Sequence, residues 1–213
     1  MAFVVPEGIE RYAEEHTTPP TPLLAALSKE THETLAVPQM LTGPIEGRFL
    51  ELLVYASEAR RILELGTFSG YSSISMAAGL PPGGHIDTCE VDEKHASVAR
   101  RYIEEAGLSD RITVHMGPGL DTIEALGGEW DLVFIDADKP NYLNYYEAVV
   151  PRLAERGIIA ADNTLWSGKV LDADDDSEST VAIRAFNDRV LNDDRTVCVQ
   201  LSIRDGVTLI RRA

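Results

Sequence analysis

The chain has 213 residues, 44% hydrophobic and 25% charged, which suits one α/β domain and excludes wholesale disorder, a collagen-like repeat or a disulfide-stapled miniprotein. With 19 Lys and Arg against 35 Asp and Glu, the net charge is −16. Nucleic acid and anionic membranes are repelled at long range, so neither is expected as a partner.

Residues 1 to about 58 lack strand signals and read as helices. One runs from Gly8 to His16. A second follows the Pro19–Pro22 cluster through Leu23, Leu24, Leu27 and Leu35. A third carries Phe49, Leu50, Leu53 and Val54 at helical spacing. The opening MAFVVPEGIERY has no basic segment, and Pro6 and Glu7 cut its apolar run short, so it does not read as a signal peptide. No run approaches the ~18 apolar residues of a membrane span, and a cytoplasmic location is expected.

From Arg61 onward, short apolar runs alternate with amphipathic helices, the pattern of βαβ units around a parallel sheet. The expected strands are 61–65, 85–91, 111–116, 130–136 and 157–162, with helices near 70–79, 92–106, 119–126 and 140–154. A helix near 178–192 follows, then strands 197–203 and 206–212 joined through the hairpin signal Asp205–Gly206. Cys89 and Cys198 sit in apolar strand-like runs and read as reduced. The acidic stretch 171–179 reads as a solvated connection, since it lacks the register of a calcium loop.

In an open parallel sheet, ligands bind beyond the carboxyl ends of the strands. The first strand ends in Glu64-Leu65-Gly66 and turns through Thr67, Phe68, Ser69 and Gly70 into a helix with Ser72 in its first turn. There Ser72 can meet a ligand's carboxylate. The spacing is not the G-x-G-x-x-G of dinucleotide sites. The second strand ends in Glu90-Val91-Asp92, with Glu90 placed to grip ribose hydroxyls and Asp92 suited to cap the next helix. Together these ends suggest an adenosine-containing ligand without a pyrophosphate.

The fourth strand ends in Asp136-Ala137-Asp138-Lys139-Pro140 and the fifth in Asp162-Asn163. Asp136, Asp162 and Asn163 are hard oxygen donors at adjacent strand ends. Three such donors leave positions open on an octahedral Mg²⁺ for a substrate. Pro140 is expected to hold Lys139 extended, with its ammonium near the strand end. Singly, each of these residues is an ordinary turn former; together they read as a site.

ELGTFSGYS, the acid in CEVDEK, FIDADKPNY, DNTLWSG and DGVTLIRR resemble the metal-dependent O-methyltransferases of the catechol and caffeoyl-CoA type, from Met40 to Arg212. The resemblance implies a Rossmann-like class I methyltransferase fold, a seven-stranded, mostly parallel sheet with an antiparallel last strand. Helices would cover both faces, with an N-terminal helical extension, in a single domain. It implies S-adenosylmethionine as cofactor, a divalent metal (Mg²⁺ first, with Ca²⁺ or Mn²⁺ as alternatives) and a homodimer. It assigns Asp136, Asp162 and Asn163 to the metal and makes Lys139 the general base. Met40, Thr42, Glu64, Gly66, Thr67, Ser72, Glu90, Pro118 and Asp138 would bind the cofactor. Asp136 and Ser167 would face the acceptor, and Trp166 is either a wall of that site or a core aromatic. Two departures stand out: family members often have Ala at Pro118, which donates no N–H, and plant-type members have Asn at Ser167.

The expected reaction is methyl transfer to a hydroxyl of a small phenolic with vicinal hydroxyls. The alternative acceptor is a caffeoyl-CoA-type thioester, for which so acidic a chain is a poor host, or another hydroxylated natural product. A nicotinamide-dependent oxidoreductase and a non-catalytic adenosine-ligand-binding module are the readings from other classes. His16, His32, His85, His95 and His115 lack metal spacing, and Tyr142, Tyr145 and Tyr146 read as packing residues.

Overall fold

The computed structural model describes residues 5–213; the first four residues of the opening run judged above lie outside them. The N-terminal part is helical: α1 (Glu7–Glu15), α2 (Pro22–Thr34) and α3 (Gly43–Ser57), with a 3-10 turn at Pro38–Met40. Local chemistry sets these ends. Pro22 opens α2 behind Thr21, whose hydroxyl accepts from Leu24 N at 3.3 Å. Glu58, in the left-handed region, closes α3.

The strands are β1 (Arg61–Leu65), β2 (His85–Glu90), β3 (Ile112–Met116), β4 (Trp130–Ile135), β5 (Leu153–Ala161), β6 (Thr196–Leu201) and β7 (Val207–Arg212). They form one sheet in the order β3-β2-β1-β4-β5-β7-β6. β1 to β5 pair in parallel, and β7 is antiparallel to both of its neighbours. The strand order reverses between β1 and β4, the place where such sheets open a ligand crevice. Between the strands lie α4 (Tyr71–Gly79), α5 (Glu93–Glu105), α6 (Gly119–Ala125), α7 (Tyr142–Val149) and α8 (Glu178–Leu191). Asp92 caps α5, accepting from Lys94 N at 2.7 Å and His95 N at 3.1 Å.

Strand alternation sorts side chains to two faces. Ile62, Leu132, Phe134 and Ala160 pack with α2, α3, α4 and α5, whereas Leu63, Leu65, Val133, Ile135 and Ile159 pack with α6, α7 and α8. Each fully buried large side chain contributes about 1.5–3 kcal/mol. Among the described residues, no helix is long and apolar enough to cross a membrane.

Two expected elements differ. The helix expected at 140–154 is a 3-10 turn at Lys139–Asn141, α7 proper and a second 3-10 turn at Val150–Arg152. Pro151 removes a helical donor and breaks it. β5 then begins at Leu153, earlier than the expected 157. Lys139 is not extended but opens its 3-10 turn; the extended residue is Asp138, with ψ 124°. The Asp205–Gly206 hairpin joins β6 to β7 as expected.

Candidate active site

Two backbone bonds knit the carboxyl ends of the central strands: Asp136 N donates to Leu65 O and Asp162 N to Ile135 O, both at 2.9 Å. Gly66 is required in this weave. Its φ is +102°, and a Cβ there would lie 2.0 Å from Asp136 O. A narrow cleft opens at this point, walled by Met40, Thr42, Gly66, Thr67, Ser72 and Asp136, with Phe68 and Tyr71 beside them.

Glu64 and Glu90 stand behind the cleft. Glu64 is fully buried; Ser73 and Thr88 hydroxyls donate to its Oε2, the latter at 2.6 Å, and Ser72 reaches it too. Its Oε1 has no partner. Burial lifts its carboxyl to about 7, against the pull of those hydroxyls. Glu90 ends β2 and accepts from Phe68 N at 2.8 Å, Val91 N at 2.8 Å and Asp92 N at 2.9 Å. The fully buried Glu64 carboxylate, with its free oxygen, suits the ammonium of an amino-acid-bearing ligand.

Pro118 and Asp138 lie to one side. Pro118 precedes α6, whose Gly119 abuts Leu65 and Tyr145. Asp138 accepts from Tyr145 OH at 2.6 Å and Asn141 Nδ2 at 2.5 Å. Neither borders the cleft.

Beyond the cleft, Lys139 Nζ donates to Asp136 Oδ1 at 3.1 Å and to the Tyr142 hydroxyl at 2.7 Å. That hydroxyl in turn donates to Asp162 O at 3.0 Å, and burial keeps its pKa well above 10. Asp162 is buried and accepts from Asn163 N at 2.6 Å and Asn163 Nδ2 at 3.0 Å. Burial and the nearby Asp136 push the Asp162 carboxyl up to about 7. Asn163, Trp166 and Ser167 all have positive φ, so the chain doubles back and Ser167 N donates to the Asp205 carboxylate. Trp166 packs on the core beside α8, and its ring lies 5.7 Å from Lys139 Nζ.

Three residues that sequence reasoning passed over join this cluster. Glu46 of α3 is fully buried and faces Asp162, while Arg204 Nη1 donates to its Oε2 at 3.2 Å. Burial and the Asp162 charge raise the Glu46 carboxyl well above its ordinary value. Tyr142, read only as packing, holds Lys139. The acid at 46 in an otherwise apolar helix face was the one available signal; Arg204 gave none. Glu46, Asp136, Asp162 and Asp205 thus surround Lys139 and Arg204, four carboxylates against two cations. A divalent cation would balance that excess. Among the described residues no three His, Cys, Asp or Glu side chains converge as ligands, so the donor set that fits is two acids and the Asn163 amide.

Residues 14–213 match the Methyltransf_3 family, described as O-methyltransferase. The chain is 40% identical over 183 residues to a catechol O-methyltransferase of Mycobacterium tuberculosis, covering 85% of this chain and 82% of that one. It is 36% identical over 186 residues to a caffeoyl-CoA O-methyltransferase of Petunia hybrida, covering 81% and 76%. The solved structure of an O-methyltransferase from Bacillus cereus in complex with SAH superposes with a TM-score of 0.89, at 32% identity and 97% coverage of both chains.

Proposed function

Since the chain belongs to this O-methyltransferase family and is an S-adenosylmethionine-dependent O-methyltransferase, we propose that its acceptor is a small phenolic with vicinal hydroxyls and that a divalent cation, Mg²⁺ first, assists the transfer. In this reading Asp136, Asp162 and Asn163 hold the cation. Met40, Thr42, Glu64, Gly66, Thr67, Ser72 and Glu90 hold the cofactor, Pro118 and Asp138 meet the part of it that extends beyond the cleft, and residues 1–58 contribute through the segment before α3. Trp166 and Ser167 flank the acceptor. The observation that carries the reading is the double position of Asp136, which walls the cofactor cleft and contacts Lys139 at 3.1 Å. Methyl donor and acceptor oxygen therefore meet across one side chain. A nicotinamide-dependent oxidoreductase and a non-catalytic module fall away with the family.

A divalent cation held by Asp136, Asp162 and Asn163 would supply positive charge that lowers the pKa of an acceptor hydroxyl. Lys139, entering the step as the neutral amine, takes the hydroxyl proton on Nζ and becomes the ammonium as the oxygen attacks the methyl carbon in line. The new O–CH₃ bond forms as the S–CH₃ bond breaks. Tyr142 keeps Nζ at the strand ends, where it cannot swing into solvent. Holding both reactants in one crevice accounts for about 7–11 kcal/mol of the barrier in well-oriented pairs. We read the protein as a cytoplasmic homodimer, which sedimentation would check.

The deciding experiment screens catechols, flavonoids and caffeoyl-CoA with labelled S-adenosylmethionine, with Mg²⁺ and after exhaustive chelation. Turnover of simple catechols that stops with chelation and returns with Mg²⁺ is expected. Full transfer in the metal-free preparation would reject the cation, and transfer to the thioester alone would reject the small phenolic.

A further inference from the structure

We propose that Glu46 is a working part of the cation centre, its free Oε1 facing what the cation carries from outside the direct ligands, and that Arg204 is its counter-charge. The inference rests on the cation reading above. It stands on three observations of different kinds.

The first is an orphan. Glu46 is fully buried, and its Oε1 has no hydrogen-bond partner. A buried carboxylate oxygen left bare costs several kcal/mol unless something charged or polar meets it in the working state. The second is placement. The buried Glu46 carboxylate stands beside the buried Asp162 carboxylate and near Asp136, with Arg204 in contact with it. Like charges buried side by side favour a further positive charge between them. The third is how Arg204 is held. It stands in the left-handed region, φ 47°, in the loop between β6 and β7. There its Nη1 reaches Glu46 Oε2 at 3.2 Å and Leu41 O at 3.3 Å. Strained backbone in a non-glycine residue persists where its surroundings hold it. Arg204 neutralises one oxygen of Glu46 and leaves the other bare.

Because no three acids converge, Glu46 acts from outside the direct ligand set, as an outer partner to whatever the cation carries. Such partners change metal affinity by about 10–100-fold when removed. Arg204 works in the opposite sense, since a positive charge beside the centre opposes a second one.

The test titrates Mn²⁺ calorimetrically into the full-length wild type, Glu46→Gln and Arg204→Met, with melting temperature followed in parallel. Glu46→Gln is expected to weaken Mn²⁺ binding about 10–100-fold, and Arg204→Met to tighten it. A packing role would move both variants the same way, in step with melting temperature; that result overturns the proposal, as does unchanged affinity in Glu46→Gln. Should Glu46→Gln fail to fold, Arg204→Met decides alone, and unchanged or weaker binding overturns it. A wild type that binds no Mn²⁺ would instead reject the cation reading on which the proposal stands.

Discussion

Lys139 is gripped from three sides: Asp136 Oδ1, the Tyr142 hydroxyl and the face of the Tyr142 ring, 4.7 Å from Nζ. A side chain held this way has surrendered its rotamer entropy, as a positioned proton acceptor must. Lys139→Ala should lower kcat by about 10²–10⁴-fold while leaving cofactor affinity nearly unchanged. The loss should shrink for acceptors with acidic hydroxyls, such as nitrocatechols; a small loss, flat across acceptors of graded pKa, would reduce Lys139 to an ion-pair partner of Asp136. Glu64 makes a separate prediction. Its folded pKa, raised to about 7 by burial, exceeds the ordinary carboxyl value near 4.5. Between those two pH values the folded protein keeps a proton that the unfolded chain has released. The contribution of Glu64 to the stability of the cofactor-free protein is therefore fully present below about pH 4.5 and is lost as pH rises through about 7, by about 3 kcal/mol in full. Urea unfolding from pH 5 to 8 should show this slope in the wild type and a flatter one in Glu64→Gln. Identical slopes would mean that Glu64 does not carry it.

Between elements, the turn at Gly66 decides whether β1 and β4 deliver their residues to one place. A Cβ at 66 would drive into Asp136 O, so Gly66→Ala must displace the end of β4 or strain its own backbone. A destabilisation of at least about 1–3 kcal/mol is expected from the strain alone, read as a lower urea midpoint, with cofactor binding weakened in parallel. An unshifted midpoint would show that the turn yields without cost. The same region shows what the sequence could and could not announce. Strand ends were legible because their apolar runs stop at an acid or glycine, and β1 matched at both ends. β5 was misjudged at its start: its pairing with β4 jumps from Trp130–Leu153 to Leu132–Ile158, so an irregular excursion occupies 154–157. Its Glu155-Arg156-Gly157 looks like a loop to any local rule. The strand-end acids, Asn163 and Lys139 were legible because βαβ order alone brings strand ends together. Glu46 and Arg204 were not, since their meeting depends on a loop and a helix 158 residues apart in the chain.

At the scale of the whole molecule, the −16 charge sorts acceptors before any of them reaches the crevice. The four carboxylates around the candidate centre add to that field locally, where two cations answer them. A neutral catechol meets no long-range force on approach. A coenzyme A thioester carries several phosphate charges and is repelled at distances comparable to the Debye length, about 30 Å at 0.01 M salt and about 8 Å at 0.15 M. Raising salt across that range removes most of the repulsion between exposed charges, while the buried groups at the centre are screened far less. Therefore kcat/KM for caffeoyl-CoA should rise several-fold with salt, at saturating Mg²⁺, and kcat/KM for a neutral catechol should stay level. The comparison needs both acceptors on one preparation, so that any effect of salt on the cation cancels. Equal salt profiles would show that the surface field plays no part in acceptor choice, and that the choice is made wholly by Trp166, Ser167 and the residues beside them. A rise confined to the thioester would place the first step of discrimination outside the crevice, in the charge of the chain itself.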